Sequence, residues 1–156
     1  LAPIDEPTMI GDVIHLLARA DLSEGPGLFN AAGCINCHKA GDYGRSIGPD
    51  LSAIGDRDDA DSIVRSILHP NQIIVEGYSM ITVSTSDGMA YAGVLESETD
   101  KFLKMVQLDA KPVSIDKSLI VSRQSVHSSP MPPYDMVLSA KQLADLVSWL
   151  MSQRSL

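Results

Sequence analysis

Apolar residues recur with a helix-like period over residues 7–20, at Met9, Ile10, Val13, Ile14, Leu16 and Leu17. This segment reads as a leading extension, or as the tail of a preceding domain. A second short helix is expected over 23–32. Pro26 limits where it can start, and Gly33 suits its C-terminus. Residues 39–57 are rich in Gly, Asp and Ser and read as loop. The helical period returns over 59–68, with Ile63, Val64, Ile67 and Leu68 on one face, and Pro70 ends it. Then the pattern changes. Segments 78–85 and 89–95 flank Ser86-Asp87-Gly88, an Asp-Gly turn between β-type runs. Residues 102–108, 113–115 and 119–121 read as further short strands, with turns at 96–100 and 109–112. About 45 residues therefore form a small antiparallel sheet within a helical chain. Residues 122–138 return to loop around Pro130-Met131-Pro132-Pro133. The last element is a helix opening at Ser139, where Gln142 completes a capping box. Leu143, Leu146, Val147 and Leu150 make its buried stripe, with Trp149 beside it.

The chain of 156 residues is long enough for one sizeable core. Hydrophobic residues at 44% and charged residues at 21% exclude disorder as the main state. Aromatics are only 4%, so the core is aliphatic or is filled in part by something other than protein. The net charge of −8 argues against a nucleic-acid partner, which needs a cationic face. No apolar run reaches the ~18 residues of a membrane span, so no intrinsic span is expected. The charge is uneven: residues 1–61 hold eleven acids and four bases, the rest nine acids and eight bases. The densest acidic run, Asp56, Asp58, Asp59 and Asp61, reads as a solvated loop and helix start. The chain begins at Leu1 with no visible signal peptide, which suggests a processed protein or an excised fragment.

Both cysteines lie in Cys34-Ile35-Asn36-Cys37-His38, the spacing of a c-type haem attachment site. Chance gives this arrangement roughly once in 3,000 for such a composition. Two thiols at this spacing reach the two vinyl groups of one porphyrin and form thioethers, and the adjacent imidazole binds the iron axially. A redox dithiol and half of a zinc site are the alternatives. The first would want a preceding strand where a short helix is expected. The second lacks a further cysteine pair.

Gly27-Leu28-Phe29, the haem motif, Gly48-Pro49-Asp50-Leu51, Ser129-Pro130-Met131-Pro132 and the final helix together resemble a class I cytochrome c. More narrowly, residues 63–78, the segment Gly93-Val94-Leu95-Glu96-Ser97-Glu98-Thr99-Asp100 and the closing Leu-x-x-Leu helix resemble a haem-binding domain common in planctomycetes and verrucomicrobia. That domain often ends a large dehydrogenase-like protein. The resemblance covers roughly residues 24–152. It implies a mainly α, cytochrome c-like helical fold with a small antiparallel sheet inserted before the Met-ligand loop. Residues 1–22 would form a helical extension and 23–156 the cytochrome c domain, with 76–122 as the β insertion.

The resemblance also implies site roles. Cys34 and Cys37 carry one covalent haem c, and His38 is the proximal ligand. The Pro49 carbonyl accepts the second imidazole N–H and raises the ring's donor strength. Met131 is the distal ligand. Met80, Met89 and Met105 fall on expected strands, Met9 precedes the motif, and Met151 lies on the final helix. Met136 is the fallback, and His127 would serve in a bis-His variant. His69 reads as a helix-end residue and His15 as a surface one. Arg45 and Arg57 are candidates to pair with haem propionates, since buried carboxylates need charged or hydrogen-bonding partners. Each also reads as an ordinary surface arginine. Tyr78 and Trp149 donate to propionate or simply pack, and Trp149 is expected to pack against Phe29.

Three functions follow as expectations. The first is one-electron transfer through His/Met-ligated haem c, as a carrier or as the electron-exit domain of a larger oxidoreductase. The partners would be redox proteins with a basic docking face, steered by the acidic first part of the chain. No catalytic machinery of the chain's own stands out, so an electron-transfer protein rather than an enzyme is expected. The second is a gas-binding or sensing haem protein with a displaceable distal ligand. In the third, the sheet is a docking module and the haem is structural. Haem attachment outside the cytoplasm, as the resemblance implies, gives a periplasmic or otherwise exported location.

Overall fold

The computed structural model describes residues 1–155. Its contacts divide the chain into two units, residues 1–72 with 133–156, and residues 73–132. The first is helical and the second is a sheet.

The helical unit is assembled around its last helix. Helices α1 (Ile10–Leu16), α2 (Gly25–Ala31), α3 (Ile54–Arg57) and α4 (Ala60–Leu68) all contact α5 (Ala140–Met151). Ser139 caps α5 through the expected capping box with Gln142. Its apolar stripe is almost fully buried: Leu143, Leu146, Val147 and Leu150 are at most 3% exposed. α2 crosses α5 at a glycine. A Cβ on Gly25 would sit 2.1 Å from the Trp149 Cβ, so only glycine permits this approach. One turn later Phe29 meets Trp149, with ring centroids 5.3 Å apart and planes at 57°. A tilted aromatic pair of this kind adds to the burial term.

The leading segment is fastened to the same unit. Val13 of α1 is fully buried. The Asp21 amide donates to the buried Asp145 carboxylate at 2.7 Å, and Lys141 Nζ completes that carboxylate's bonding at 2.6 and 2.7 Å. At α4, Asp59 is the N-cap and accepts from the Ser62 amide. Asp61 pairs with Arg65, and Asp56 accepts from the Ser155 amide and Arg154. Most of the acidic run is therefore committed to helix starts and a chain end. His69 ends α4 as its C-cap.

In the second unit, five strands pair antiparallel in the order β6-β5-β4-β3-β7. They are β3 (Met80–Thr85), β4 (Ala90–Glu98), β5 (Phe102–Gln107), β6 (Pro112–Asp116) and β7 (Ile120–Val126). The short pair β1 (Lys39–Ala40) and β2 (Tyr43–Gly44) belongs to the helical unit. Alternation puts Ile81, Val83, Leu103, Met105 and Ile115 on one face, where they form a separate core. Two register shifts, at Ser84/Thr85 and Leu95/Ser97, let the sheet coil. The coiling brings Glu98 of β4 onto Arg123 of β7 at 2.9 Å, although β3 runs between those strands. Lys117 joins the same carboxylate at 2.8 Å.

Four expectations need correction. Helix accounts for 33% of the chain and strand for 24%, so "mainly α" holds only in part. Strand β7 continues to Val126 through residues expected as loop. It pairs on one side only, and Ser122, Arg123, Gln124 and Ser125 are all exposed, so it has no buried face to announce it. Residues 39–57 carry β1, β2 and α3 rather than continuous loop, and Met89 lies exposed in the hairpin turn rather than on a strand.

Gly25→Ala should destabilise the helical unit by about 1–3 kcal/mol, the usual cost of forcing a methyl into a filled core. Urea denaturation followed at Trp149 fluorescence reads this directly, and an unchanged midpoint would show that α2 slides away freely. Acid should act too. Hydrogen bonds from Ser155 and Ser62, and from Lys117 and Arg123, hold the Asp56, Asp59 and Glu98 carboxyls below their ordinary values. A carboxyl lowered on folding binds more protons when unfolded, so its contribution is lost as pH falls. The thermal midpoint should be level at mild acid and drop below about pH 4.

Candidate functional site

The haem motif sits at the end of α2. Ala32 caps that helix, and Gly33 turns the chain with φ +80°. Cys34–Asn36 then form one 3-10 turn, in which the Cys37 and His38 amides both donate to the Cys34 carbonyl, at 3.1 and 2.9 Å. This turn places the two thiols and the imidazole on consecutive steps of one rigid segment. Both cysteines are free thiols, Cys34 half-buried and Cys37 exposed.

The loop after β2 wraps over the turn. The Ile47 and Gly48 amides donate to the Cys37 carbonyl at 2.9 and 2.7 Å, and the Leu51 amide to the Lys39 carbonyl at 2.7 Å. These bonds deliver the Pro49 carbonyl to His38 Nδ1 at 2.8 Å. A carbonyl only accepts, so Nδ1 carries the proton and Nε2 keeps its lone pair for a metal. Burial lowers the His38 pKa, with the Pro49 bond opposing, which favours the neutral ring that a metal ligand needs. Gly48 makes this possible: a Cβ there would lie 2.7 Å from His38 Cε1 and 2.9 Å from Nδ1.

Arg57 supports the loop from behind, donating from Nη2 to the Asp50 carbonyl at 2.7 Å. Arg45 is exposed, and its side chain forms no hydrogen bond or ion pair among the described residues. Cys34, Cys37, His38, Pro49 and Arg57 thus belong to one loop system of the helical unit. Met131 belongs to the sheet unit, two residues before the chain re-enters the helical unit at Pro133. It is half-buried, and its amide donates to Ser129 Oγ at 3.1 Å. Met136 and His127 are exposed.

One residue of this region was not picked out from the sequence. Tyr134 is buried, and its hydroxyl donates to the Ala32 carbonyl at 3.2 Å, beside the first cysteine. Burial, and then the neighbouring Cys34, push its pKa up to about 12. The Cys34 thiol is likewise pushed up to about 11, chiefly by burial. The available signal was scarcity. In a chain with so few aromatics, a tyrosine in a proline-rich loop is expected to pack its ring and find a partner for its hydroxyl.

A family model described as Cytochrome c matches residues 22–104, just over half of the chain. The chain belongs to the cytochrome c family. Comparison with curated proteins gave no match. Family membership brings haem c and electron transfer, and the residues present fit that group. Two free thiols stand at the attachment spacing, a neutral imidazole is held with Nε2 unprotonated, and Gly48 keeps the ring clear. Among the described residues no three His, Cys, Asp or Glu side chains converge as metal ligands. Nor is any described helix long and apolar enough to cross a membrane.

Gly48→Ala is the sharpest test of this cradle. The added methyl must displace either the His38 ring or the loop, so the share of purified cytochrome carrying haem should fall several-fold. The pyridine haemochrome absorbance per mole of chain reports it, and wild-type loading would show that the loop yields without cost.

Proposed function

We propose that the chain is a monohaem c-type cytochrome that transfers single electrons between redox partners. The observation that carries this reading is the His38 Nδ1–Pro49 hydrogen bond within the Cys34-x-x-Cys37-His38 turn. It leaves one nitrogen, on one fixed ring, for axial ligation.

In this reading Cys34 and Cys37 would hold one haem through thioethers, and His38 and Met131 would supply its iron ligands. Haem supplies the one-electron couple. The chain's residues tune it. Pro49 strengthens His38 as a donor, and the soft thioether of Met131 favours ferrous iron and raises the potential. With both axial positions filled by side chains, no place remains for a substrate, which supports electron transfer over gas binding. Arg45 and Arg57 remain the candidates for the propionates, Arg57 through the donors it does not give to Asp50. The sheet is the insertion that marks the narrower planctomycete- and verrucomicrobial-type domain, and residues 1–22 lead into the cytochrome domain. We read the protein as periplasmic or otherwise exported, serving as a carrier or as the electron-exit domain of a larger oxidoreductase. Its partners would present basic docking faces to its acidic surface.

Met131→Ala should abolish the sulfur-to-iron absorption band at the red end of the visible, lower the midpoint potential, and open the iron to cyanide or carbon monoxide. Met136→Ala should do none of these. His127 can capture the vacated position, so the double change with His127→Ala isolates the effect. Retention of the native band and potential in Met131→Ala would reject the assignment. The haem itself should survive acid-acetone extraction, and should not when Cys34 and Cys37 are both replaced by Ala.

A further inference from the structure

Residues 134–138, immediately after the Met131 loop, are pinned from three sides. The Tyr134 amide donates to the Ile67 carbonyl in the last turn of α4 at 3.3 Å, and its hydroxyl to the Ala32 carbonyl at the end of α2 at 3.2 Å. Thr8 supplies the other two bonds. Its amide donates to the Asp135 carbonyl at 2.8 Å, and its hydroxyl to the Leu138 carbonyl at 2.7 Å. The pinned segment is itself a closed turn, with the Val137 and Leu138 amides both donating to the Tyr134 carbonyl at 3.0 Å. Thr8, Tyr134 and Leu138 are all buried. Thr8 lies ahead of the family match, so half of this clamp comes from the leading segment.

We propose that Thr8 and Tyr134 are positioning residues for the Met131 loop, holding the anchor from which the distal ligand reaches the iron. This rests on the reading of Met131 as that ligand. Only Pro132 and Pro133 separate Met131 from Tyr134, and three residues span at most about 10 Å. Proline fixes φ, so this link has little slack, and movement of the anchor passes to the methionine. A thioether is a weak ligand, and its residence depends on how rarely its loop opens. The clamp lowers that frequency by tying the loop's downstream end to α2, to α4 and to the leading segment at once. The leading segment thereby acquires a role in ligation without touching the iron.

The test uses the ferric holoprotein and imidazole, whose binding at saturating concentration is limited by loop opening. Thr8→Val keeps the shape of the side chain and removes its donor, and Tyr134→Phe removes only the hydroxyl. Each should bind imidazole about threefold to tenfold faster, the effect of losing one ordinary hydrogen bond from the closed state, while retaining the sulfur-to-iron band at equilibrium. Thr8→Ser should restore the native rate. Asp59→Ala weakens α4 at the end remote from Ile67 and should leave the rate unchanged, which separates positioning from general stability. Hydrogen exchange of the native protein gives a readout that needs no variant: the Thr8 and Tyr134 amides should be protected together. The proposal is overturned if Thr8→Val and Tyr134→Phe bind at the native rate, or if Asp59→Ala accelerates as much as they do. If Met131→Ala keeps the sulfur band, the ligand assignment itself fails, and the clamp proposal with it. Faster imidazole binding in the clamp variants, with the band lost only in Met131→Ala, supports both.

Discussion

The hydrogen bond from His38 Nδ1 to the Pro49 carbonyl is the constraint on which the geometry of the haem-motif turn and its covering loop depends. A free imidazole has two interchangeable nitrogens and a rotating ring. This bond selects the tautomer and fixes the ring together. It exists only because several other features hold Pro49 in place. Two amides of the loop converge on the Cys37 carbonyl, Arg57 ties down Asp50, and Gly48 has no side chain to collide with the ring. Remove any of these and the carbonyl drifts. The 3-10 turn does the complementary task for the thiols, since its two bonds to the Cys34 carbonyl set the spacing of Cys34, Cys37 and His38 in one stroke.

The two units solve the problem of burial independently. The helical unit buries an aliphatic stripe of α5 and sets Phe29 against Trp149 where α2 crosses it. The sheet unit is small, and five strands lying flat would expose one apolar face. Coiling, assisted by two bulges, lets Ile81, Val83, Leu103, Met105 and Ile115 cover one another. The pairs of Glu98 with Arg123 and Lys117 sit on the rim of that coil and are about one-third exposed. Their contribution is therefore small beside the apolar burial, of the order expected for surface ion pairs. The sheet unit thus has a core of its own, while Phe102, Leu108, Leu119, Val121 and Val126 stay exposed.

Legibility in the sequence followed how local each signal is. The Cys-x-x-Cys-His spacing, the Ser139–Gln142 capping box and the Asp87-Gly88 hairpin turn are complete within a few residues, and each was readable. The apolar face of α4 was readable because it repeats at the helical period. β7 was readable only at its start, within 119–121, because beyond it an edge strand with exposed polar residues on both faces has no period to detect. The commitment of residues 1–22 to the helical unit was not, because it rests on Thr8 and Asp21 meeting partners more than 120 residues away. Tyr134 was missed for the same reason, since its value lies in reaching Ala32 across the whole chain. The Pro49 contact was expected only through family resemblance. Eleven residues separate it from His38, and nothing in the spacing alone dictates a hydrogen bond.

The acidity of the first part of the chain has two components with different consequences. Asp56, Asp59 and Asp61 are held by a chain end, a helix start and Arg65, and Asp21 accepts from Ser23 beside Asp145. Replacing any of these removes a cap, a turn bond or an ion pair together with the charge. Asp5, Glu6, Asp12, Glu24, Asp42 and Asp58 are exposed and serve no such bond among the described residues. A basic partner of the kind proposed would feel the summed field of all of them, but only the second set could re-pair with its lysines and arginines without giving up a bond within the chain. In that proposal steering would draw on all the acids and docking on the second set alone. The field depends on the net −7 of residues 1–61, which salt screens, while the contacts themselves would fall to the uncommitted carboxylates. If docking uses this surface as proposed, it could be retuned for a new partner at those six positions while the turn that carries His38 stays intact.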